Sequence, residues 1–212
     1  GRHVVITAGP TREPICPVRY ISNRSSGKMG YALAEACVNA GAKTTLISGP
    51  VNCSAVDGVH VIAVETTQEM HDASLLAAAS ADIFIGAAAV VDFKPESVAS
   101  QKIKRNGVAE MDLRLVPNPD IIATVSNSAS RPSLVVGFAA ETEDVKDYAR
   151  QKLAKKSLDY IFANDVSDAS IGFDSDRNAG VLIGQNSNIE MPISTKRVLA
   201  EAIIGELSRH LD

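Results

Sequence analysis

The stretch SNRSSGKMG, at residues 22–30, combines serines, glycines and a lysine at the start of a helical pattern. A Walker A loop, G-x-x-x-x-G-K-[ST], binds phosphates with such residues. Its first glycine would fall here at Ser22, and the hydroxyl that holds Mg²⁺ would fall at Met29. The fingerprint G-x-G-x-x-G is also missing after the first apolar run, which continues as ITAGPTRE. The residues therefore exclude both standard phosphate loops.

The same stretch can still bind an anion where the helix begins. Ser25 or Ser26 can cap the helix, while Gly27 and Gly30 remove side chains from its first turn. The exposed backbone N–H groups and the helix dipole would then favour a phosphate. An ordinary serine cap with a solvated Lys28 explains the same residues, so the spacing alone leaves both interpretations open.

A second pattern, YARQK at residues 148–152, has the Y-x-x-x-K spacing of short-chain dehydrogenases. This spacing places both side chains on one helical face and often arises by chance. Those enzymes also carry a glycine-rich turn after their first strand, which is missing here. The alternative is a helix whose Lys152, Lys155 and Lys156 lie on a solvated face.

The composition limits the class of protein. Of the 212 residues, 45% are hydrophobic but only 4% are aromatic, which suits a buried parallel sheet flanked by helices. A net charge of −4 argues against a general nucleic-acid binder. The longest apolar runs are too short for a membrane span. Three widely spaced cysteines without a C-x-x-C pair argue against a disulfide framework or a zinc site and favour a reducing cytoplasm.

Short apolar runs that alternate with helical patterns predict the architecture. We expect an α/β fold with a Rossmann-like, doubly wound, mostly parallel sheet, helices on both faces and a C-terminal β-hairpin, in one domain over residues 1–212. Ligands bind at the carboxyl ends of the strands in such sheets, where the long loops 9–26 and 92–109 lie. The predicted strands are 3–8, 43–48, 59–64, 82–89, 134–140 and 159–164, with hairpin strands 178–184 and 188–194, and the predicted helices are 27–40, 67–80, 118–127, 144–157 and 194–211.

A series of motifs resembles one enzyme family. ITAGPTREPICPVRYISNRSSGKMG is followed by AAAVVDFKP, KIKR, PNPDI, VGFAAET and ANDVS. The series is similar to the bacterial phosphopantothenate–cysteine ligases of coenzyme A biosynthesis, and the resemblance extends over residues 3–180. Bacterial members usually form the C-terminal half of a bifunctional protein. The resemblance, and a first residue that is not Met, therefore imply a fused N-terminal flavin-dependent decarboxylase domain and no flavin in this domain.

The resemblance also implies a reaction. CTP would activate the carboxylate of 4′-phosphopantothenate as an acyl-cytidylate with release of pyrophosphate, and L-cysteine would then displace CMP. Mg²⁺ or Mn²⁺ is implied as the partner of CTP, without identified ligands. A cytoplasmic homodimer with a shared active site is implied, with neither nucleic acid nor membrane as a partner. Without a covalent enzyme intermediate, the protein would position the reactants and neutralise phosphate charge.

Site residues follow from the same resemblance. Asn23 would face the reacting carboxylate, and Lys102 would belong to a mobile lid over the nucleotide. Arg19 would reach the substrate phosphate of the neighbouring subunit. The pantothenate arm would lie against Ala88, Ala89 and Asp92. The nucleotide would be bound by Gly9, Ser25, Gly27, Gly30, Gly86, Ala87, Ala88, Asp92, Lys102, Pro119, Asp120, Ile121, Ile122, Phe138, Lys152, Lys156 and Asn164.

These residue types also have ordinary structural roles. Asn23 could be a turn asparagine in the left-handed region, and Arg19 could form a surface ion pair. Ala88 and Ala89 suit helix–sheet packing, and Phe138 suits a buried strand end. Two other classes of function remain open beside the ligase: a nicotinamide-dependent oxidoreductase and a non-catalytic nucleotide-binding or scaffold module.

Overall fold

An eight-stranded sheet lies at the centre of the fold. The computed structural model describes residues 1–105, 110–141, 144–165 and 175–210. The strands are β1 (His3–Ala8), β2 (Arg12–Cys16), β3 (Arg19–Ser22), β4 (Lys43–Ser48), β5 (Val59–Ala63), β6 (Ile83–Gly86), β7 (Phe93–Pro95), β8 (Leu115–Pro117), β9 (Leu134–Glu141), β10 (Tyr160–Asp165), β11 (Arg177–Gly184) and β12 (Asn188–Thr195). The helices are α1 (Lys28–Asn39), α2 (Thr67–Ala78), α3 (Ile121–Ser126), α4 (Val145–Lys155) and α5 (Lys196–Ser208).

The strand order of this sheet is β12-β11-β10-β9-β6-β1-β4-β5. All neighbours from β10 to β5 are parallel, while β11 pairs antiparallel with both β10 and β12. The prediction of a mostly parallel, Rossmann-like sheet closed by a C-terminal hairpin is therefore confirmed. The last residue of the predicted helix 194–211 and residues 106–109 of the predicted loop 92–109 lie outside the described residues.

The two faces of the sheet are covered by different helices. On one face, Ile6 packs in a cluster with Leu33 of α1 and Ile203 of α5. On the other face, the preceding residue Val5 packs in a cluster with Met70 of α2, because successive side chains of a strand point to opposite faces. Burial on both faces explains why the central strands read as continuous apolar runs rather than alternating ones.

Two short pairs of antiparallel strands, called hairpins here, begin where the sequence predicted loops. β2 pairs with β3 inside residues 9–26, with Arg12 opposite Ser22. β7 starts at Phe93, within the predicted loop 92–109, and pairs with β8. Both hairpins have strands of three to five residues, and the first contains prolines, so neither gives a clear period of two. The prediction of two irregular loops was wrong at these positions.

The predicted strand 82–89 ends early, at Gly86. The backbone beyond it is tied to the segment after β1: Ala89 N donates to Gly9 O at 2.9 Å, and Val91 N donates to Thr11 Oγ1 at 3.0 Å. These bonds hold the two segments side by side outside the sheet. They form one edge of the crevice described below.

Helix α1 begins without the serine cap that the sequence suggested. Its N-cap is Gly27, with φ of 77°, and no side chain makes a capping hydrogen bond there. Ser25 Oγ instead accepts a hydrogen bond from Gly27 N at 3.3 Å. A Cβ at Gly30 would lie 2.4 Å from Ala8 Cβ, so the helix approaches the end of β1 more closely than any other residue would allow.

This close approach predicts opposite effects for two Gly→Ala substitutions. Gly30→Ala overpacks the α1–β1 contact and should lower the free energy of unfolding by about 1–3 kcal/mol. Gly205→Ala lies on α5, where a Cβ meets nothing within 4 Å. It should therefore raise stability by about 0.5–1 kcal/mol, through helix propensity alone. Urea unfolding of both variants measures the difference. An unchanged midpoint for Gly30→Ala would contradict the tight contact.

Candidate active site

A cleft opens at the carboxyl end of the parallel strands, where the strand order reverses. The chain leaves β1 towards β4 and β5 and returns on the other side of β1 at β6. Such reversals create a crevice in which α/β proteins bind ligands. The cleft, here called the α1 cleft, has a volume of about 420 Å³. It is lined by residues 23–30, 87–90 and 138–140, together with Asn164, Asn178 and Lys196.

The α1 cleft is positively charged. Its charged lining residues are Arg24, Lys28 and Lys196, and none of the described residues of its wall is acidic. Lys196 is only 7% exposed. Lys28 Nζ contacts Asp176 Oδ1 at 2.5 Å, and this contact lowers the pKa of the Asp176 carboxyl. With the backbone N–H groups of the first turn of α1 added, the cleft suits an anion such as a phosphate.

A second cavity of about 700 Å³ adjoins the first and is called the α3–α4 cavity. The two share Ala88, Val90 and Phe138 in their walls, and the Phe138 ring packs 5.2 Å from that of Phe162. Phe138 therefore packs against the core, as a strand-end residue would, and also lines both cavities. The α3–α4 cavity is also lined by Gly86, Asp92, residues 117–122, Lys152, Lys155 and Lys156.

Asn118, in the wall of the α3–α4 cavity, has an unsatisfied acceptor. Its Nδ2 donates to Val91 O at 2.9 Å and to Thr67 Oγ1 at 3.3 Å. Its Oδ1 is buried and has no hydrogen-bond partner within the part of the chain that the structure describes. Buried acceptors without a partner are uncommon, because they lose their hydrogen bonds to water. The oxygen is therefore a candidate contact for a ligand that carries an N–H group.

Asn23 connects the two sides of the cleft mouth. Its Nδ2 donates to Val90 O at 2.8 Å. The described residues with positive φ, other than glycines, are Asp144 and Ser157, so the left-handed turn that the sequence left open for Asn23 is not found. A primary amide carries two N–H donors, and the bond to Val90 uses one of them. The second N–H can donate to a bound molecule.

Arg19 and Lys102 line neither cavity. Arg19 Nη1 donates to Ile103 O at 3.1 Å and to Cys16 Sγ at 3.7 Å, and Ala99 N donates to Ile15 O at 3.0 Å. The β2–β3 hairpin therefore holds the segment that contains Lys102. Among the residues that the structure describes, Arg19 contacts a carbonyl and a thiol instead of forming the surface ion pair considered from the sequence.

The structure brings most of the predicted site residues together. Gly9, Arg19 and Lys102 are outside the walls of both cavities, and Gly9 contributes a carbonyl to the Ala89 contact. The remaining predicted residues line one cavity or both: Asn23, Ser25, Gly27, Gly30, Gly86, Ala87, Ala88, Ala89, Asp92, Pro119, Asp120, Ile121, Ile122, Phe138, Lys152, Lys156 and Asn164.

Among the wall residues that sequence reasoning missed are Asn118, Asn178 and Lys196. Asn118 stands next to the predicted Pro119 within PNPDI, so that motif could have included it. Asn178 and Lys196 belong to no motif and come from the C-terminal hairpin and α5. Only the strand order shows that α5 begins beside α1, at the same edge of the sheet.

The Cys16 thiol, beside Arg19, has a pKa below that of an ordinary cysteine. Hydrogen bonds from the backbone of Val18 and Ile103, followed in effect by one from the Arg19 side chain, lower the pKa of this thiol to about 7. Burial raises the pKa of Cys37 to about 12 and also raises that of Cys53. Cys16 is therefore the one cysteine of the three that titrates near neutral pH.

Ultraviolet absorbance of the thiolate tests this difference. Because the folded-state pKa of Cys16 is lowered, one thiol should ionise as pH rises through about 7, well below the usual cysteine range. Cys16→Ser should remove the transition, and Arg19→Met should move it to higher pH. Cys37→Ser is the control and should leave it unchanged. A wild-type protein without a transition between about pH 6 and 8 would contradict the assignment.

The chain is similar to proteins that are named for coenzyme A biosynthesis. A family model for the DNA/pantothenate metabolism flavoprotein C-terminal domain matches residues 1–211. The chain is 49% identical over 208 residues to the coenzyme A biosynthesis bifunctional protein CoaBC of Vibrio parahaemolyticus, with 98% of this chain and 52% of that protein covered. The corresponding protein of Escherichia coli K12 is 45% identical, with 99% and 52% covered. The chain thus spans about half the length of the curated relatives it matches.

Solved structures share the fold. The crystal structure of the C-terminal domain of a coenzyme A biosynthesis bifunctional protein CoaBC superposes with a TM-score of 0.84 at 36% identity, covering 100% of this chain and 96% of that one. A Cab2 mutant in complex with phosphopantothenate-cysteine superposes with a TM-score of 0.77 at 17% identity, with 99% and 86% covered. Within residues 1–105, 110–141, 144–165 and 175–210, no helix is long and apolar enough to cross a membrane.

Proposed function

The chain belongs to the family of DNA/pantothenate metabolism flavoprotein C-terminal domains, and we propose that it is the ligase that joins 4′-phosphopantothenate to L-cysteine with CTP. The observation that carries the proposal is the cationic α1 cleft, which continues into the α3–α4 cavity at the switch point of the sheet. Relatives that bear the name of a coenzyme A biosynthesis protein support it. The Cab2 structure, a likeness of fold, names phosphopantothenate-cysteine as the product to test.

The proposed reaction has two steps. In the first, a carboxylate oxygen of 4′-phosphopantothenate attacks the α-phosphorus of CTP, and the bond from that phosphorus to the bridging oxygen of the β-phosphate breaks. Pyrophosphate leaves, and an acyl-cytidylate remains. In the second, the amine of L-cysteine attacks the acyl carbon, the bond from that carbon to the CMP oxygen breaks, and the amine releases a proton to solvent. Both steps build negative charge on oxygen atoms, which positioned donors can stabilise.

The α1 cleft supplies such donors. The first turn of α1 lines the cleft, where its backbone N–H groups can donate to an anion, and Arg24, Lys28 and Lys196 add three positive charges to the wall. Asn23 keeps one amide N–H for the acyl oxygen while the other holds it against Val90. A neutral amide suits the second step, because it can donate a hydrogen bond to the acyl oxygen, whereas a carboxylate would repel the negative charge that develops there.

The α3–α4 cavity would hold the nucleoside. Phe138 offers a ring face for the base, and Lys152 and Lys156 line the same cavity. The buried Asn118 Oδ1, which has no partner among the described residues, can accept a hydrogen bond from the 4-amino group of cytosine. Uracil presents a carbonyl at that position and would leave the oxygen unpaired. Such a loss is a strong basis for discrimination, and it supports CTP over UTP.

A divalent cation would act from the nucleotide side. Among the described residues, no group of three His, Cys, Asp or Glu side chains could hold a metal ion. A cage built by this part of the protein therefore does not fit, and Mg²⁺ or Mn²⁺ would be held by phosphate oxygens and water.

The proposed assembly is a cytoplasmic homodimer, fused in the full-length protein to an N-terminal flavin decarboxylase domain. The share of about 52% of the relatives' length supports the fusion. Exposed apolar side chains on the two small hairpins support the dimer, because apolar patches of this kind mark protein contacts. Val18 and Tyr20 lie on or beside β3, and Phe93 and Leu115 lie on β7 and β8, each between 43% and 56% exposed. Arg19 of the same hairpin would then reach the neighbouring site.

One assay tests the proposed function. With Mg²⁺, CTP, 4′-phosphopantothenate and L-cysteine, the purified protein should release CMP and pyrophosphate together. Without cysteine, pyrophosphate release should be at most stoichiometric with enzyme, and little CMP should appear. Arms with UTP and ATP measure the choice of nucleotide. CTP binding without pyrophosphate release would indicate a non-catalytic nucleotide-binding module instead, and NADPH binding followed by fluorescence would indicate an oxidoreductase.

Asn23→Ala should lower kcat far more than the affinity for CTP. The amide acts on the acyl oxygen as charge develops, so we expect a loss in kcat of about 100-fold or more, as for other oxyanion donors. Steady-state kinetics and CTP titration give the two values. Equal losses in both would mean that Asn23 binds the nucleotide rather than the reacting carboxylate.

The same variant tests the shared site. If Arg19 acts across subunits, a mixture of Asn23→Ala and Arg19→Met proteins will form mixed dimers in which one site keeps both side chains. Activity should therefore exceed that of either variant alone. A mixture with only the summed activity of the two variants would place Arg19 in its own subunit or leave it without a role.

A further inference from the structure

Lys196 is a buried cation in the wall of the α1 cleft. It lies on α5, which contains none of the motifs that carry the family resemblance. It is the first residue of α5 and only 7% exposed. Its backbone N–H donates to Asp176 O at 2.9 Å. Asp176 in turn contacts Lys28 of α1 through its carboxylate. The starts of α1, α5 and β11 therefore meet at one place, with two lysines and one aspartate.

The positions of the two cavities along the fold determine which part of a bound nucleotide lies nearest to Lys28 and Lys196. The α3–α4 cavity lies beside α3 and α4, while α1 and α5 pack on the opposite face of the sheet. Ala88, Val90 and Phe138 line both cavities, so a nucleotide with its base in the α3–α4 cavity reaches the start of α1 past these residues and past Asn23, which donates to Val90 O. The phosphates beyond the α-phosphate then lie nearest to Lys28 and Lys196.

We infer that Lys196 and Lys28 bind the β- and γ-phosphates of the nucleotide, which leave as pyrophosphate, and that Asp176 competes with this anion for Lys28. The inference rests on the proposed function for the identity of the nucleotide. Two cations at the leaving group neutralise the charge that develops when the bond to the α-phosphate breaks. They contribute little to the binding of CMP, which lacks those phosphates.

Asp176 gives this subsite a means of release. Its carboxylate is 83% exposed and stands at the rim, whereas Lys28 is 41% exposed. Lys196 also acts on this carboxyl, since its charge contributes to the lowered pKa of Asp176. When pyrophosphate departs, the Lys28–Asp176 pair re-forms, so the carboxylate takes the place of the leaving anion. The aspartate therefore weakens the retention of pyrophosphate.

Calorimetric titration with three probes tests the lysines: inorganic pyrophosphate, CTP and CMP, each with excess Mg²⁺ at constant ionic strength. Lys196→Met keeps the length of the side chain and removes the charge. It should weaken pyrophosphate and CTP binding by about tenfold or more, as expected for a lost charge-assisted hydrogen bond. CMP binding should remain unchanged, and Lys196→Arg should restore part of the loss. Arg197→Met is the matched control, since Arg197 is 67% exposed and pairs with Glu201, and it should change none of the three affinities.

Asp176→Asn tests the competing carboxylate without touching the buried lysine. Because the side chain is exposed, the variant should fold, and pyrophosphate should bind it several-fold more tightly than the wild type. An unchanged or weaker affinity would overturn the role of Asp176, even if Lys196→Met failed to fold. A folded Lys196→Met that binds pyrophosphate like the wild type would overturn the role of Lys196. So would equal losses for CTP and CMP, which indicate a structural role.

The outcomes are separable from those of the ligase assay. Pyrophosphate binding is measured without turnover. If this binding depends on Lys196 in a protein that forms no product, the ligase proposal is refuted and the pyrophosphate subsite stands. If the protein forms the product, but its pyrophosphate affinity does not change in the Lys196 and Asp176 variants, the ligase proposal stands and the pyrophosphate subsite is refuted.

Discussion

The start of α1 lies against the end of β1 with no room for a side chain between them. At Gly30 a methyl group would overlap Ala8, and at Gly27 it would overlap Val51 in a backbone conformation with φ of 77°. This contact sets the position of the helix, and with it the position of the N–H groups in its first turn. A serine cap would have satisfied one of those groups internally. Because Gly27 is the cap and no side chain makes a capping hydrogen bond there, the turn can donate to the anion proposed for the cleft.

The second consequence concerns the two faces of the sheet. A crevice at the switch point gives a ligand access to both faces, and Phe138 stands where the α1 cleft and the α3–α4 cavity meet. The two cavities differ in kind: one is cationic, and the other offers a ring, an acceptor at Asn118 without a partner among the described residues, and the ion pair between Lys156 and Asp120. A ligand with an anionic end and a polar heterocycle fits this division better than one that is uniform along its length.

The sequence predicted the sheet because its central strands are buried on both faces, which leaves short apolar runs that alternate with amphipathic helices. It could not predict β2–β3 or β7–β8, since such short strands are stabilised by pairing and by contacts with the chain after β6 rather than by their own pattern. The site residues predicted near β1, β6 and β9 came from the family resemblance, through one long motif at β1 and shorter motifs at β6 and β9. Lys196 was not, because its role depends on the return of α5 to the edge where α1 begins, which is a property of strand order and not of local spacing.

The ion pair between Lys28 and Asp176 illustrates how an interaction can matter for binding while it contributes little to folding. Both side chains are substantially exposed, and pairs of this kind add about 0–1 kcal/mol to stability. Separating them therefore costs little. A polyphosphate carries more charge than a carboxylate and can contact Lys28 and Lys196 together, so exchange of the aspartate for the ligand is favourable. A buried pair at the same place would resist that exchange, since removing one partner would leave an uncompensated charge. The exposure of Asp176, beside the burial of Lys196, thus suits a subsite that must both accept and release its anion.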